Sequence, residues 1–129
     1  MKSQCKVMVV DDVYVFRHTL KRNLMDLGHV IVCECDNGFD AIEMYKTQKP
    51  DFVTLDITMP SVNGVACGLK ALEAIMKFDK DAKIIMITSH SEHKMIVEAI
   101  SKGAKGYIRK PVTKEKLQSS IAKIFPAAN

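Results

Sequence analysis

Short apolar runs alternate with longer amphipathic stretches along the chain, and this alternation restricts the fold more than any other feature of the sequence. The apolar runs are brief, continuous and rich in β-branched residues, as expected for strands buried on both faces. They cover residues 6–11, 30–35, 51–56, 83–88 and 106–110. The pattern predicts an α/β fold with a doubly wound parallel sheet and helices on both faces.

Between these runs, apolar residues recur at the three- and four-residue spacing of one helix face. The predicted helices cover residues 13–27, a segment between Asn37 and Pro50, residues 64–78, residues 93–102 and a segment that Thr113 caps. Gly28 and Gly103 end the first and fourth of them.

Length and composition favour one globular domain. The chain has 129 residues, 47% apolar and 26% charged, and it contains no linker or repeat. No apolar run approaches the roughly 20 residues that cross a bilayer, and residues 1–6 lack the pattern of a signal peptide. We therefore predict a cytoplasmic protein without membrane insertion. The net charge is +4, but the basic residues are spread out, which favours a solvated surface over a nucleic-acid site.

The four cysteines are Cys5, Cys33, Cys35 and Cys67, and none forms a C-x-x-C pair. Cys33 and Cys35 are expected on one face of the second strand. A zinc site would need His29 at poor spacing, so free, partly buried thiols are the preferred interpretation.

Polar residues follow the predicted strands at their carboxyl ends, where ligands bind in parallel sheets. They are Asp11-Asp12, Asp56, Thr88-Ser89 and Lys110-Pro111. Three crowded carboxylates remain ionised only if cations neutralise them, and Mg²⁺ suits an oxygen site that also receives phosphate. Lys110 adds a compact positive charge and Thr88 a hydroxyl donor. Together these groups predict transfer of a phosphoryl group to a carboxylate.

Each of these residues also has a simpler interpretation. Asp11-Asp12 could cap the first helix, and Asp56 could be a turn residue. Lys110 could be an ordinary exposed lysine, and Thr88 a strand-end hydroxyl. Their occurrence in this order, at these strand ends, favours a common site.

The same segments resemble the receiver domain of bacterial two-component response regulators. The resemblance rests on residues 7–12, 51–60, 63–64, 84–89 and 103–111, and it extends over about residues 6–125. It implies a single receiver domain over residues 1–129. It also implies a five-stranded flavodoxin-like sheet in the order 2-1-3-4-5, with five helices in a three-layer αβα arrangement.

On this resemblance, Asp56 is the phospho-acceptor and Mg²⁺ is the cofactor. Asp12 ligates the metal directly, Asp11 lies close by and acts through water, and Asp56 and the backbone carbonyl of Thr58 complete the ligands. Lys110 pairs with the phosphoryl oxygens.

The resemblance also implies the switch residues. Thr88 moves to hydrogen-bond the phosphoryl group, and Tyr107 then turns inward and changes the surface of the fourth helix and fifth strand. Thr58 and His90 occupy variable positions that tune dephosphorylation. The peptide bond after Lys110 is expected to be cis.

Only four residues follow Phe125, so we expect the phosphorylated surface itself to be the output. The leading hypothesis is a CheY-like single-domain chemotaxis regulator. A chemotaxis-type histidine kinase would phosphorylate it, it would bind the flagellar motor switch protein, and a dedicated phosphatase is a further candidate partner. The alternative is a phosphorelay intermediate that passes its phosphoryl group to a histidine phosphotransfer protein.

Other classes fit the sequence less well. A haloacid-dehalogenase-type phosphatase needs a second acid where this chain has Thr58, and a flavodoxin-like electron carrier needs a phosphate-binding loop where this chain has residues 12–14. A receiver that cannot be phosphorylated is also disfavoured, because every expected active-site residue is present in this chain. We therefore expect a switch with slow self-dephosphorylation, not an enzyme. Residues 64–78 look about one helical turn longer than in many relatives.

Overall fold

The computed structural model describes residues 4–59, 63–64, 68–89 and 93–125. Within these ranges strands and helices alternate. The elements are β1 (Lys6–Val10), α1 (Tyr14–Asp26), β2 (Val30–Cys35), α2 (Gly38–Gln48), β3 (Phe52–Asp56), α3 (Gly68–Phe78), β4 (Ile84–Thr88), α4 (His93–Ser101), β5 (Gly106–Arg109) and α5 (Lys114–Ile124). The strands form one parallel sheet in the order β2-β1-β3-β4-β5, which confirms the predicted fold class.

The sheet separates two apolar cores, because successive side chains of a strand point to opposite faces. Val7 and Val9 of β1 pack with the buried leucines and isoleucines of α1 and α5. Met8 and Val10 pack on the other face, against α2, α3 and α4. The central strands β3 and β4 are fully buried, as their continuous apolar sequences predict.

Two predicted helix starts have the expected capping geometry. The Asn37 side chain accepts a hydrogen bond from the Asp40 backbone N–H at 2.9 Å, and the Thr113 hydroxyl accepts one from the Lys116 N–H at 3.2 Å. Gly28 follows α1 with φ 95°, a conformation that favours glycine. The strands are shorter than predicted at some ends, because residues such as Asp11 continue as loop after the ladder has ended.

The thiols of β2 lie on one face, as predicted. Cys35 is buried and Cys33 half-buried against the same core, both are free, and burial raises the pKa of Cys35 to about 12. Cys5 is buried near His29, whose Nδ1 accepts a hydrogen bond from the Cys5 backbone N–H at 3.0 Å. Cys67 lies outside the described residues.

The predicted apolar face of α4 is only partly buried. Ala99 is enclosed, but 45% of Ile100 is exposed because α4 meets the sheet through a narrow contact. Residues 65–67 are outside the described part of the chain, so the extra turn of residues 64–78 stays a prediction. In the part that the structure describes, every helix is too short or too polar to span a membrane.

Candidate functional site

Three acids meet at the carboxyl edge of the sheet. Asp11 and Asp12 follow β1, and Asp56 ends β3, which pairs directly with β1. One carboxylate oxygen from each lies within 4.8 Å of the others. Asp11 and Asp56 are buried whereas Asp12 is exposed, so two of the three charges are largely removed from water. This convergence is the one that the order of the strand ends predicted.

Neither acid after β1 caps α1. The helix N-cap is Val13, which makes no side-chain capping bond, and the first turn contains no acid. Asp11 instead accepts the Val13 N–H at 2.9 Å through Oδ1, while its backbone carbonyl accepts Nη1 of Arg17 at 2.7 Å. Arg17 is itself held by Glu34 at 2.8 Å. The helix-cap interpretation of Asp11-Asp12 is therefore wrong, and the contacts orient Asp11 toward the other acids.

Lys110 is the cation that faces this group. Its Nζ lies 3.2 Å from Asp11 Oδ2 and 3.2 Å from Asp56 Oδ2, and only 14% of the side chain is exposed. The Lys110 backbone N–H donates to the Thr88 carbonyl at 2.8 Å, and the following bond to Pro111 is cis, as expected. Lys110 is thus not an ordinary exposed lysine.

A second lysine holds the turn that carries Lys110. Nζ of Lys116, on α5, donates to the carbonyls of Arg109 and Pro111 at 3.1 and 3.0 Å. The two acceptors are the residues immediately before and after Lys110 in the chain. The position of Lys110 therefore depends on α5 as well as on β5.

The pKa of Asp56 is raised from 3.8 to about 6, mainly by burial and in smaller part by the nearby Asp11 charge. The Lys110 ammonium and the Thr58 backbone N–H, which donates to Asp56 Oδ1 at 3.1 Å, oppose this increase. One lysine is thus insufficient to compensate for the buried acids.

The donor set suits a hard divalent cation. Carboxylate oxygens of Asp11, Asp12 and Asp56 can reach one ion, and Mg²⁺ prefers such ligands. Thr58 lies two residues beyond Asp56 in the same loop, and its carbonyl stays a predicted ligand. Of the residues that the structure describes, these acids are the only group of His, Cys, Asp and Glu side chains close enough to share a metal.

The predicted switch residues lie on the neighbouring strands β4 and β5. Thr88 is buried at the end of β4, beside the strand that ends in Asp56. Tyr107 lies on β5 with 48% of its surface exposed. It lines a groove of about 580 Å³ between α4, β5 and α5. His90 lies outside the described residues, and its predicted role is not addressed by the structure.

One further neighbour of the site could not be predicted from the sequence. Phe16 has the helical spacing of a core residue, but half of it is exposed and its ring lies under Lys110 Nζ, 4.3 Å from the ring centroid. Only the contact between α1 and the turn after β5 brings these two residues together.

A family model described as the response regulator receiver domain matches residues 7–122. The chain belongs to this family. The chemotaxis protein CheY of Thermotoga maritima is 40% identical over 119 residues, which are 92% of this chain and 96% of that protein. CheY of Bacillus subtilis is 37% identical over 118 residues, 92% of this chain and 95% of that protein.

Solved structures agree with this assignment. The receiver resembles a chain in the CheX-CheY-BeF3-Mg complex from Borrelia burgdorferi, with a TM-score of 0.88 and 32% identity over 95% of this chain and 90% of that chain. The receiver is therefore CheY-like and belongs to two-component signalling. The cluster of Asp11, Asp12 and Asp56 fits a family whose receiver domains bind Mg²⁺ at an acidic pocket.

Proposed function

We propose that this receiver is a single-domain response regulator that accepts a phosphoryl group on Asp56 from a histidine kinase and signals by binding other proteins. The observation that carries the proposal is the pairing of Lys110 with both Asp56 and Asp11, at 3.2 Å each, beside the exposed carboxylate of Asp12. A lysine and a set of metal-binding acids around one carboxylate is the arrangement that phosphoryl transfer needs, since that chemistry depends on positioning and charge.

In the proposed reaction an Asp56 carboxylate oxygen attacks the phosphorus of a phosphohistidine. The oxygen–phosphorus bond forms, the nitrogen–phosphorus bond breaks, and the leaving imidazole keeps the electron pair and takes a proton. Lys110 leaves its contact with the Asp56 oxygen and pairs with the incoming phosphoryl oxygens. Asp11, Asp12, Asp56 and the carbonyl of Thr58 would hold Mg²⁺, which would supply the remaining positive charge.

The product stays attached to the protein, so the receiver acts as a switch and not as an enzyme. Slow self-dephosphorylation returns it to the starting state, and Thr58 and His90 are the candidates for tuning that rate. Thr88 and Tyr107 are proposed to carry the signal to the groove between α4, β5 and α5. Phosphorylation would then bias two arrangements of that surface.

Chemotaxis is the proposed setting, supported by the two CheY proteins that match over nearly their whole lengths. We infer a chemotaxis-type histidine kinase and a flagellar motor switch protein as cytoplasmic partners, with a dedicated phosphatase as a third. The CheX-CheY complex supports recognition of an activated receiver by a second protein. A phosphorelay role uses the same acceptor, and the partner experiment below distinguishes the two.

The acceptor is tested with acetyl phosphate and Mg²⁺, followed by intact-mass measurement. Wild-type protein should gain one phosphoryl group, and either Asp56→Asn or chelation of the metal should abolish the gain. Asp26→Asn is the matched control, because Asp26 is an exposed aspartate at the end of α1. Its carboxylate pairs with Nζ of Lys114, on α5, at 2.8 Å. A phosphoryl group on the Asp56→Asn protein would contradict the assignment.

The output is tested by binding with and without beryllofluoride. Activated receiver should bind a motor switch protein more tightly than unactivated receiver does. Tighter binding to a histidine phosphotransfer protein alone, with transfer of phosphate from Asp56, would replace chemotaxis with the relay function.

A further inference from the structure

We propose that Phe16 is a positioning residue that keeps the Lys110 ammonium beside Asp56, a role that rests on the proposed phosphoryl transfer. Lys110 Nζ lies over the Phe16 ring, 4.3 Å from its centroid, while it also lies 3.2 Å from a carboxylate oxygen of Asp11 and of Asp56. A cation within about 6 Å of a ring centroid is attracted by the negative face of the aromatic ring.

The ring is needed because packing alone does not fix the lysine. A cavity of about 200 Å³ lies between α1 and the turn after β5. Its walls are largely apolar and include Phe16, Lys110, Val15 and Pro111, so the cavity adjoins the lysine. A lysine side chain is flexible and carries much rotamer entropy. The cavity therefore gives Lys110 room to move, and directional contacts must determine where its ammonium lies.

The contacts of that ammonium respond differently to a divalent cation. Two of them are the carboxylates of Asp11 and Asp56, which are also the proposed metal ligands. When their charge is shared with a metal, their attraction for Lys110 weakens and the metal repels the ammonium. The attraction of the Phe16 ring does not depend on carboxylate charge. Among the described residues, Phe16 is thus the neighbour that holds Lys110 in place when the site is ready for phosphoryl transfer.

The chain provides a matched control for this contact. Phe78 at the end of α3 is 50% exposed, as is Phe16, and Lys46 Nζ lies 5.7 Å from its ring centroid. Phe78 packs against Tyr45 and lies outside the site. Phe78→Leu therefore removes a comparable ring and lysine contact without affecting Lys110.

The experiment compares Phe16→Leu, Phe16→Tyr and Phe78→Leu with wild type in two measurements. The first is the proton chemical shift of the Lys110 Cε methylene in metal-free protein, which the ring current of Phe16 moves upfield. Phe16→Leu should lose this upfield shift, and the other two variants should retain it. The second is the initial rate of phosphorylation by acetyl phosphate with saturating Mg²⁺. Phe16→Leu should be slower by about fivefold, as expected for a partly desolvated cation–π contact, and Phe16→Tyr should restore the rate.

Three results would overturn the role of Phe16. They are a wild-type rate for Phe16→Leu, equal rate losses in Phe16→Leu and Phe16→Tyr, or a rate loss in Phe78→Leu as large as that in Phe16→Leu. The chemical-shift measurement needs no phosphoryl transfer. If wild-type protein is not phosphorylated while the ring-current shift is present, the proposed function fails and the contact stands.

Discussion

Replacing Asp56 by Asn is expected to stabilise the metal-free protein at neutral pH, although it removes a partner of Lys110. Burial raises the pKa of Asp56 to about 6 from an ordinary value of 3.8. The folded protein therefore binds the Asp56 proton more tightly than the unfolded chain does. The contribution of the protonated Asp56 carboxyl to the free energy of unfolding is fully present below pH 3.8. It is lost as the pH rises through about 6.

The size of the effect follows from the same shift. A difference of about two pKa units corresponds to roughly 3 kcal/mol, at about 1.36 kcal/mol per unit. The ionised Asp56 costs the wild type this amount above pH 6, even with Lys110 at 3.2 Å. Asn is neutral and has nearly the same shape. Asp56→Asn should therefore gain up to about 3 kcal/mol at pH 7.5, or on the order of 10 °C in melting temperature for a domain of this size.

Urea unfolding in EDTA at pH 4.5 and 7.5 measures the difference. The two proteins should be far closer in stability at pH 4.5 than at pH 7.5, and Mg²⁺ should stabilise wild type more than the variant. Asp26→Asn is the control with the opposite sign, because the hydrogen bond from Lys114 lowers the pKa of Asp26. A variant less stable than wild type at pH 7.5 would refute the reasoning and show that the Lys110 ion pair outweighs the cost of burial.

Four further substitutions, one of them a control, test a close backbone approach near the site, a buried hydroxyl and a buried histidine. Gly68→Ala should destabilise the protein by roughly 1–3 kcal/mol and slow phosphorylation, since a Cβ there would lie 2.8 Å from the Ile57 Cα and 2.9 Å from the Asp56 carbonyl carbon. Gly106→Ala is the control, because its Cβ would meet only a side-chain hydroxyl, and it should keep the wild-type phosphorylation rate. Equal rates in Gly68→Ala and Gly106→Ala would show that the close approach of Gly68 to the Asp56 backbone is unimportant for the reaction. Thr54→Val should stabilise by about 1 kcal/mol in urea unfolding, because the buried Thr54 hydroxyl has no hydrogen-bond partner among the described residues; a loss of stability would imply that it has one. Burial lowers the pKa of His29, so wild type should lose stability relative to His29→Gln as the pH falls below 6.5, and parallel stability profiles would exclude this titration.

The sequence predicted the sheet and the convergence of the acids because both depend on local pattern. Continuous apolar runs identify buried strands, and the residues after them must meet at one edge of a parallel sheet. The caps at Asn37 and Thr113 were predictable for the same reason, since a cap depends on residues three positions apart.

Other features depend on contacts between distant elements. Whether Asp11-Asp12 caps a helix or enters a site depends on where α1 begins, and that is set by how α1 packs on the sheet. The Phe16 ring and the Gly68 backbone reach the site only through the placement of α1 and α3. Helical spacing predicted an amphipathic helix over residues 93–102, but it could not predict that Ile100 on α4 would be 45% exposed.

The side chain of Lys116 has a consequence for signalling. It lines the groove beside Tyr107, and it also donates to the carbonyls on both sides of Lys110. We expect that a protein bound in the groove and contacting Lys116 would break the hydrogen bonds from Lys116 to the turn that carries Lys110. The strength of the contact between the Lys110 ammonium and a phosphoryl group on Asp56 would then change. Coupling free energies are reciprocal. Phosphorylation of Asp56 would therefore change the affinity for that partner by the same factor by which the bound partner changes the stability of the phosphorylated state. Binding of a target and the lifetime of the phosphorylated state would thus both depend on Lys116.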